Sequence, residues 1–129
     1  MKPEIVATGS APAAIGPYSQ AVKAGGMLYC SGQIALDPAT MQMVGATAAE
    51  QAERVLQNLE AVLKAGGSSF DKVVRTTIYL VSMADFAAVN EVMASFLQEP
   101  YPARACVQVA ALPRGADIEV EAMRDVEMP

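Results

Sequence analysis

The sequence predicts a small α+β domain with two helices packed on one face of a mixed β-sheet. Segments rich in β-branched residues alternate with two stretches of helical periodicity, giving the order β-β-β-α-β-α-β-β. The first helical stretch opens on a capping-box signature and closes on paired glycines. Apolar residues make up 53% of the 129, enough for one core, and with aromatics at 5% that core is aliphatic. The chain is therefore expected to form one domain over residues 1–129.

The first residues, through Ile5 to Ala7, make a short strand. Gly9-Ser10-Ala11-Pro12 and Ile15-Gly16-Pro17 then form an irregular stretch that delivers Tyr18. Ser19 to Lys23 and Met27 to Ser31 flank Ala24-Gly25-Gly26, the pattern of a β-hairpin closed by a glycine turn. Leu36-Asp37-Pro38 and Gly45 mark a loop. Thr47-Ala48-Ala49-Glu50 fits a capping box, after which Ala48, Ala52, Val55, Leu56, Leu59, Val62 and Leu63 recur at helical spacing. Glu50–Arg54 and Glu60–Lys64 are expected to pair along that helix, at about 0.2–0.5 kcal/mol each. Gly66-Gly67 ends it.

Lys72 to Val81, rich in Val, Thr, Ile and Tyr, has strand character. Ser82 is expected to cap a second helix with Asp85 at N3, and Phe86, Val89, Met93, Phe96 and Leu97 supply its apolar stripe. Pro100 and Pro102 stop it. Ala103 to Ala110 and Asp117 to Arg124 are the last two strands, joined through Leu112-Pro113-Arg114-Gly115.

Strand side chains alternate between faces. Arg104, Cys106, Gln108 and Ala110 therefore share one face, and Ala105, Val107, Val109 and Ala111 the other. In the last strand Glu119, Glu121 and Met123 oppose Ile118, Val120 and Ala122. The aliphatic sets are expected under the helices. That leaves arginine and glutamate mixed with small apolar groups on the second faces, a character that suits an oligomer interface or a pocket.

Composition narrows the chemistry. Histidine is absent, which removes Ser/His and Cys/His nucleophile pairs and the commonest zinc ligand. Proton transfer must then use carboxylate, tyrosine, cysteine, lysine, water or backbone. Nine Lys and Arg against fourteen Asp and Glu give a net charge of −5, with no two cations adjacent, which argues against a nucleic-acid partner. Cys30 and Cys106 form neither a CxxC pair nor a disulfide framework and are expected as two buried thiols in a reducing compartment. Met1 to Ile5 lacks the apolar stretch of a signal peptide, and no segment approaches the ~18 apolar residues of a membrane span. A soluble, cytoplasmic protein is expected.

Four ordered motifs carry a resemblance. Pro102-Ala103-Arg104-Ala105-Cys106-Val107, followed after Leu112 by Ile118-Glu119-Val120, resembles the signature of the RidA (YjgF) family of imine/enamine deaminases. Ile15-Gly16-Pro17-Tyr18-Ser19-Gln20, Cys30-Ser31-Gly32-Gln33-Ile34 and Phe86-Ala87-Ala88-Val89-Asn90 are similar to further family segments, so the likeness spans almost the whole chain. It implies a chorismate-mutase-like fold and a homotrimer with pockets between subunits. It also implies hydrolysis of 2-imino acids, such as 2-iminopropanoate and 2-iminobutanoate, to 2-keto acids and ammonia. Cys30 stands where the family frequently has Thr or another small residue, and Val120 where Ile or Met is usual.

The resemblance also distributes roles. Arg104 is assigned to the substrate carboxylate, which a planar guanidinium can clamp through two parallel hydrogen bonds. Its alternative is a salt bridge to Glu119 or Glu121. Glu119 matches the water-activating glutamate, with Glu121 as a competitor two residues on. Tyr18 is placed beside the substrate as an orienting group, since a tyrosine pKa of about 10 makes a poor base at neutral pH. A core or interface tyrosine is its alternative. Ser31 and Gly32 correspond to a pocket-lining strand end. Asn90 matches a pocket position or is simply a helix-face amide, and Cys106 contributes backbone more than thiol. No cofactor or metal is called for. The competing functions are an endoribonuclease or translation inhibitor, a label some members carry, and a non-catalytic small-ligand-binding or chaperone-like protein.

Overall fold

The computed structural model of the chain describes residues 2–125. Its elements are β1 (Glu4–Val6), β2 (Ala21–Ala24), β3 (Met27–Gln33), α1 (Ala48–Ala65), β4 (Val73–Leu80), α2 (Phe86–Phe96), β5 (Ala103–Gln108) and β6 (Ile118–Asp125). That is the expected order. The strands form one sheet, β1-β2-β3-β6-β4-β5, antiparallel throughout except for the parallel pair β4–β5 that α2 connects.

Local chemistry explains the elements. Gly25 and Gly26 both take positive φ, 57° and 78°, the backbone of a type I′ turn that matches the twist of β2 and β3. At the start of α1 the Thr47 hydroxyl accepts from the Glu50 amide at 3.2 Å, and the Glu50 carboxylate accepts from the Thr47 amide at 3.1 Å. All seven stripe residues of α1 are 2% exposed or less, and each buried Leu or Val contributes about 1.5–3 kcal/mol. Gly67, at φ 81°, closes the helix, with its amide on the Lys64 carbonyl and that of Ser68 on the Leu63 carbonyl.

Neither side-chain ion pair expected along α1 closes; among the described residues the one ion pair is Lys23–Glu4 at 3.9 Å. Glu50 is engaged by the Ala46 and Thr47 amides, and Arg54 donates to Asn58 inside the helix instead. Ser82 caps a short 3₁₀ turn, Met83–Asp85, by accepting from the Ala84 amide at 3.2 Å. Only then does α2 begin, with Val89 and Met93 buried and Phe86, Phe96 and Leu97 packed at the core margin.

Both helices lie on one face of the sheet, where Leu28, Ile78, Leu80, Ile118, Val120 and Ala122 form the floor of the aliphatic core. For β6 this is the predicted orientation. For β5 it is the reverse. Parallel pairing sets Thr76, Ile78 and Leu80 beside Arg104, Cys106 and Gln108, so these six share the helix face. Ala105 and Val107 face the other way, and Val107 is 42% exposed. The polar residues of β5 are tolerated there because α2 and its entry turn supply partners. Asn90 accepts from Arg104, and Gln108 accepts from the Met83 amide at 2.8 Å. Arg104 and Glu119 therefore lie on opposite faces of the sheet, and the internal salt bridge weighed for Arg104 does not form.

Candidate functional site

Six of the seven predicted site residues gather in two separate cavities. The first, of about 550 Å³, opens on the helix-free face and is lined by Tyr18, Ser31, Gly32, Arg114, Glu119 and Glu121 among others. The segment before β2 forms one wall. It carries little regular structure, and the buried Gln20 side chain pins it: its amide donates to the Thr8 and Pro12 carbonyls at 3.1 and 2.7 Å. Its oxygen accepts from the Thr8 amide at 2.7 Å. Tyr18 follows Gly16-Pro17 in a tight turn, its amide on the Gly16 carbonyl at 2.8 Å, and stands 51% exposed at the mouth. The Ser31 hydroxyl donates to the Ser19 carbonyl at 2.6 Å, so toward the cavity it is available as an acceptor.

Glu119 is seated on Gly32. A Cβ at position 32 would lie 2.5 Å from Glu119 Oε2 and 2.9 Å from its Cδ, so only glycine leaves room for this carboxylate. Burial raises the Glu119 pKa above the usual carboxylate range, and the Glu121 charge adds to the effect. Glu121 accepts a hydrogen bond from the Tyr79 hydroxyl across β4–β6. The opposite wall comes from the turn before β6. There Arg114, at φ 59°, donates to the Met41 carbonyl at 3.2 Å. Gln51 of α1 braces that turn, accepting from the Asp117 amide at 2.8 Å and donating to its carboxylate at 3.0 Å.

The second cavity, of about 480 Å³, lies on the helix face beside β5 and is lined by Thr76, Asn90, Met93, Leu97, Tyr101 and Arg104 among others. Its guanidinium is fixed in two ways. Arg104 donates to the Asn90 side chain, and its Cζ sits 5.3 Å from the centroid of the Phe86 ring. The Thr76 hydroxyl is buried here without a protein partner. Cys106 shares the Arg104 face but packs toward the core and lines neither cavity. Burial raises its thiol pKa, with Arg104 opposing weakly, and burial pushes the Cys30 thiol up to about 12. Both are free cysteines held as protonated thiols at neutral pH.

Tyr18, Ser31, Gly32 and Glu119 are thus brought together, Asn90 and Arg104 are brought together, and no single cavity contains both sets. Sequence reasoning did not assign Arg114, Tyr79 or Thr76. Arg114 and Thr76 lie outside the quoted motifs and carry no residue-type signal, and the pairing of Tyr79 with Glu119 emerges only from the β4–β6 register. Among the described residues no helix is long and apolar enough to cross a membrane.

Known proteins share this fold. A family model described as Endoribonuclease L-PSP matches residues 8–125. The mouse 2-iminobutanoate/2-iminopropanoate deaminase is 49% identical, over 93% of this chain and 89% of its own length. The crystal structure of RidA from the Antarctic bacterium Psychrobacter superposes with a TM-score of 0.91 at 47% identity, covering 95% of this chain and 98% of that one. That of E. coli TdcF with bound serine gives 0.89 at 38% identity, over 95% and 98%. The α+β sheet with two helices on one face is the chorismate-mutase-like fold of these proteins, and the chain belongs to the RidA (YjgF) family, also called the endoribonuclease L-PSP family.

Proposed function

We propose that the protein is a hydrolytic deaminase that converts 2-imino acids, with 2-iminopropanoate and 2-iminobutanoate as its substrates, to 2-keto acids and ammonia. The observation that carries this reading is the half-buried Glu119 carboxylate, seated on Gly32 with its proton affinity raised, in a chain without histidine. Such a group, its affinity for a proton raised by burial, can take a proton from water and return it. Its relatives named as imine deaminases, at nearly half identity over almost their whole length, support the same substrate class. Serine bound to TdcF has the α-carboxylate and three-carbon frame of 2-iminopropanoate.

Arg104 clamps the substrate carboxylate and fixes the α-carbon. Asn90 and Phe86 hold that guanidinium in place. The imine reacts protonated on nitrogen: Glu119 accepts a proton from a water that adds to the imine carbon, giving a neutral tetrahedral amino alcohol. Glu119 then returns that proton to nitrogen and takes up the hydroxyl proton as the C–N bond breaks and the C=O bond forms, so ammonia and the 2-keto acid leave and the remaining proton passes to ammonia or solvent. Tyr18 and Ser31 orient the substrate through hydrogen bonds. No step requires a cofactor.

Arg104 and Glu119 occupy opposite sheet faces, so one small substrate meets both only where two copies join. Our reading is a homotrimer in which each site takes Arg104 and Asn90 from one subunit and Glu119, Tyr18 and Ser31 from the next. Exposed Tyr29 and Val107 on the helix-free face, 44% and 42% exposed, are consistent with that face being covered by other copies. Two carboxylates in the first cavity disfavour a phosphodiester, which makes ribonuclease action the weaker reading. The test is an assay in which iminopropanoate is generated enzymatically and its loss followed. Wild type accelerates the loss, and Arg104→Ala loses most of that acceleration; equal rates for the two would refute the proposal. Tight 2-keto acid binding without acceleration would indicate a ligand-binding protein instead.

A further inference from the structure

Glu121 at the first cavity, and the Tyr79 hydroxyl that bonds it, have no part in the reaction as written. Glu121 lies two residues from Glu119 on the same face of β6, and both carboxylates line the cavity. Tyr79 sits directly opposite Glu119 in the β4–β6 register, and its hydroxyl donates not to that partner but diagonally to Glu121. One carboxylate is therefore tied down by a phenol while its neighbour is left to the cavity. We propose that Tyr79 and Glu121 are positioning residues for Glu119, with Tyr79 locking the Glu121 carboxylate in place as a fixed negative charge beside the Glu119 carboxylate.

The consequence is electrostatic. A fixed negative charge beside a half-buried carboxylate favours its protonated form, the direction already set for Glu119 by burial. The Tyr79 hydroxyl keeps its proton, because the hydrogen bond to Glu121 raises its pKa, as do burial and the charges of Glu121 and Glu119. It therefore remains a donor throughout the working range. The other groups facing Glu119 are Tyr18 from the segment before β2 and Arg114 from the turn before β6, while Arg75 acts on Tyr79 along β4. In the assembly proposed above, Arg104 of an adjacent copy joins them. Those cations oppose Glu121, and Glu121 is the near charge that adds to burial in favouring the protonated form of Glu119.

The role in catalysis rests on the deaminase reading, so the experiment has one arm that does not. In that arm, the Glu119 side-chain carboxyl resonance is followed by carbon NMR against pH in the intact oligomer and assigned by its loss in Glu119→Gln. In the other, kcat/KM for iminopropanoate loss is measured across the same pH range. Glu121→Gln keeps the shape and the acceptor for Tyr79 but removes the charge. It is expected to lower the Glu119 titration, and the acidic limb of kcat/KM with it, by about half to one pH unit. Tyr79→Phe releases Glu121 and is expected to give a smaller shift in the same direction. An unmoved Glu119 resonance in Glu121→Gln overturns the proposal whatever the activity, and an unmoved one in Tyr79→Phe removes Tyr79 from it. If the resonance shifts as expected while wild type shows no turnover, the positioning stands and the deaminase reading falls.

Discussion

Placement of Arg104 and Glu119 on opposite sheet faces makes subunit complementation the sharpest test of the proposed site. Arg104→Ala removes a guanidinium held by Asn90 and Phe86 and, with it, two charge-assisted hydrogen bonds to the substrate carboxylate. Losing them costs about 2–4 kcal/mol of transition-state binding, roughly 30- to 1000-fold in kcat/KM. Glu119→Gln keeps the shape over Gly32 but cannot accept the proton, a loss of about 10²- to 10⁴-fold. Each variant alone is close to inactive. When the two are co-expressed with different tags and purified through both, every particle contains both kinds of chain.

In a ring of three, each site draws its arginine from one subunit and its glutamate from the next. A mixed ring of either composition has one junction at which an intact Arg104 meets an intact Glu119. The doubly purified material is therefore expected to recover about one third of wild-type activity, measured as iminopropanoate loss per site. About one half would mean a dimer with the same shared site. Activity no higher than that of the single variants would refute the reasoning, because a site contained in one chain cannot be repaired by a neighbour defective elsewhere.

Gly32→Ala places a methyl group 2.5 Å from Glu119 Oε2, and the flexible carboxylate end gives way before the backbone does. Denaturant unfolding should change by less than about 1 kcal/mol while imine hydrolysis falls toward the Glu119→Gln level; wild-type activity in this variant would show that the seat on Gly32 is not needed. Glu119→Gln should also stabilise the fold at neutral pH. The folded pKa of Glu119 is raised, so its ionised form weakens the native state above that pKa. Below the ordinary carboxylate pKa, where folded and unfolded states both hold the proton, that effect disappears. Thermal unfolding of the two proteins should diverge as pH rises through the Glu119 pKa and converge in acid, and a constant offset would count against a pKa effect.

The order of elements, the α1 stripe and both glycine turns were legible because each rests on local chemistry. Capping at Thr47, left-handed backbone at Gly25, Gly26 and Gly67, and helical spacing require only near neighbours. Strand parity was legible too, but not which face turns inward. For β6 the aliphatic set marks the core. For β5 that rule fails, because parallel pairing to β4 fixes the face by register, and α2 supplies Asn90 and Phe86 to an arginine on the helix side. Sequence spacing cannot reveal a partner that a helix brings from elsewhere in the chain. The braces of the first cavity had a weak signal. Gln51 and Asn58 interrupt the apolar stripe of α1, and both turn out to be buried amides that tie loops to the helix. Asn58 donates to the Ile34 and Leu36 carbonyls at 3.2 and 2.9 Å, fixing the segment that follows β3.

The reversed face of β5 also changes how the charges are to be understood. Within one chain Glu119 and Glu121 share the first cavity, with Arg114 on its opposite wall, and Arg104 in the second has no acidic partner among the described residues. Burial and the Glu121 charge disfavour the Glu119 anion, whereas Arg104 is exposed and rests on an amide and an aromatic face. In the proposed assembly, joining the two cavities across a subunit boundary sets Arg104 opposite these carboxylates. The joined site then presents a cation to one end of its ligand and carboxylates to the other. A protonated 2-imino acid has the matching dipole, with its carboxylate for Arg104 and its iminium nitrogen toward Glu119. In the proposed assembly the pairing that completes the site would therefore also select its substrate by charge order, with no histidine in the chain.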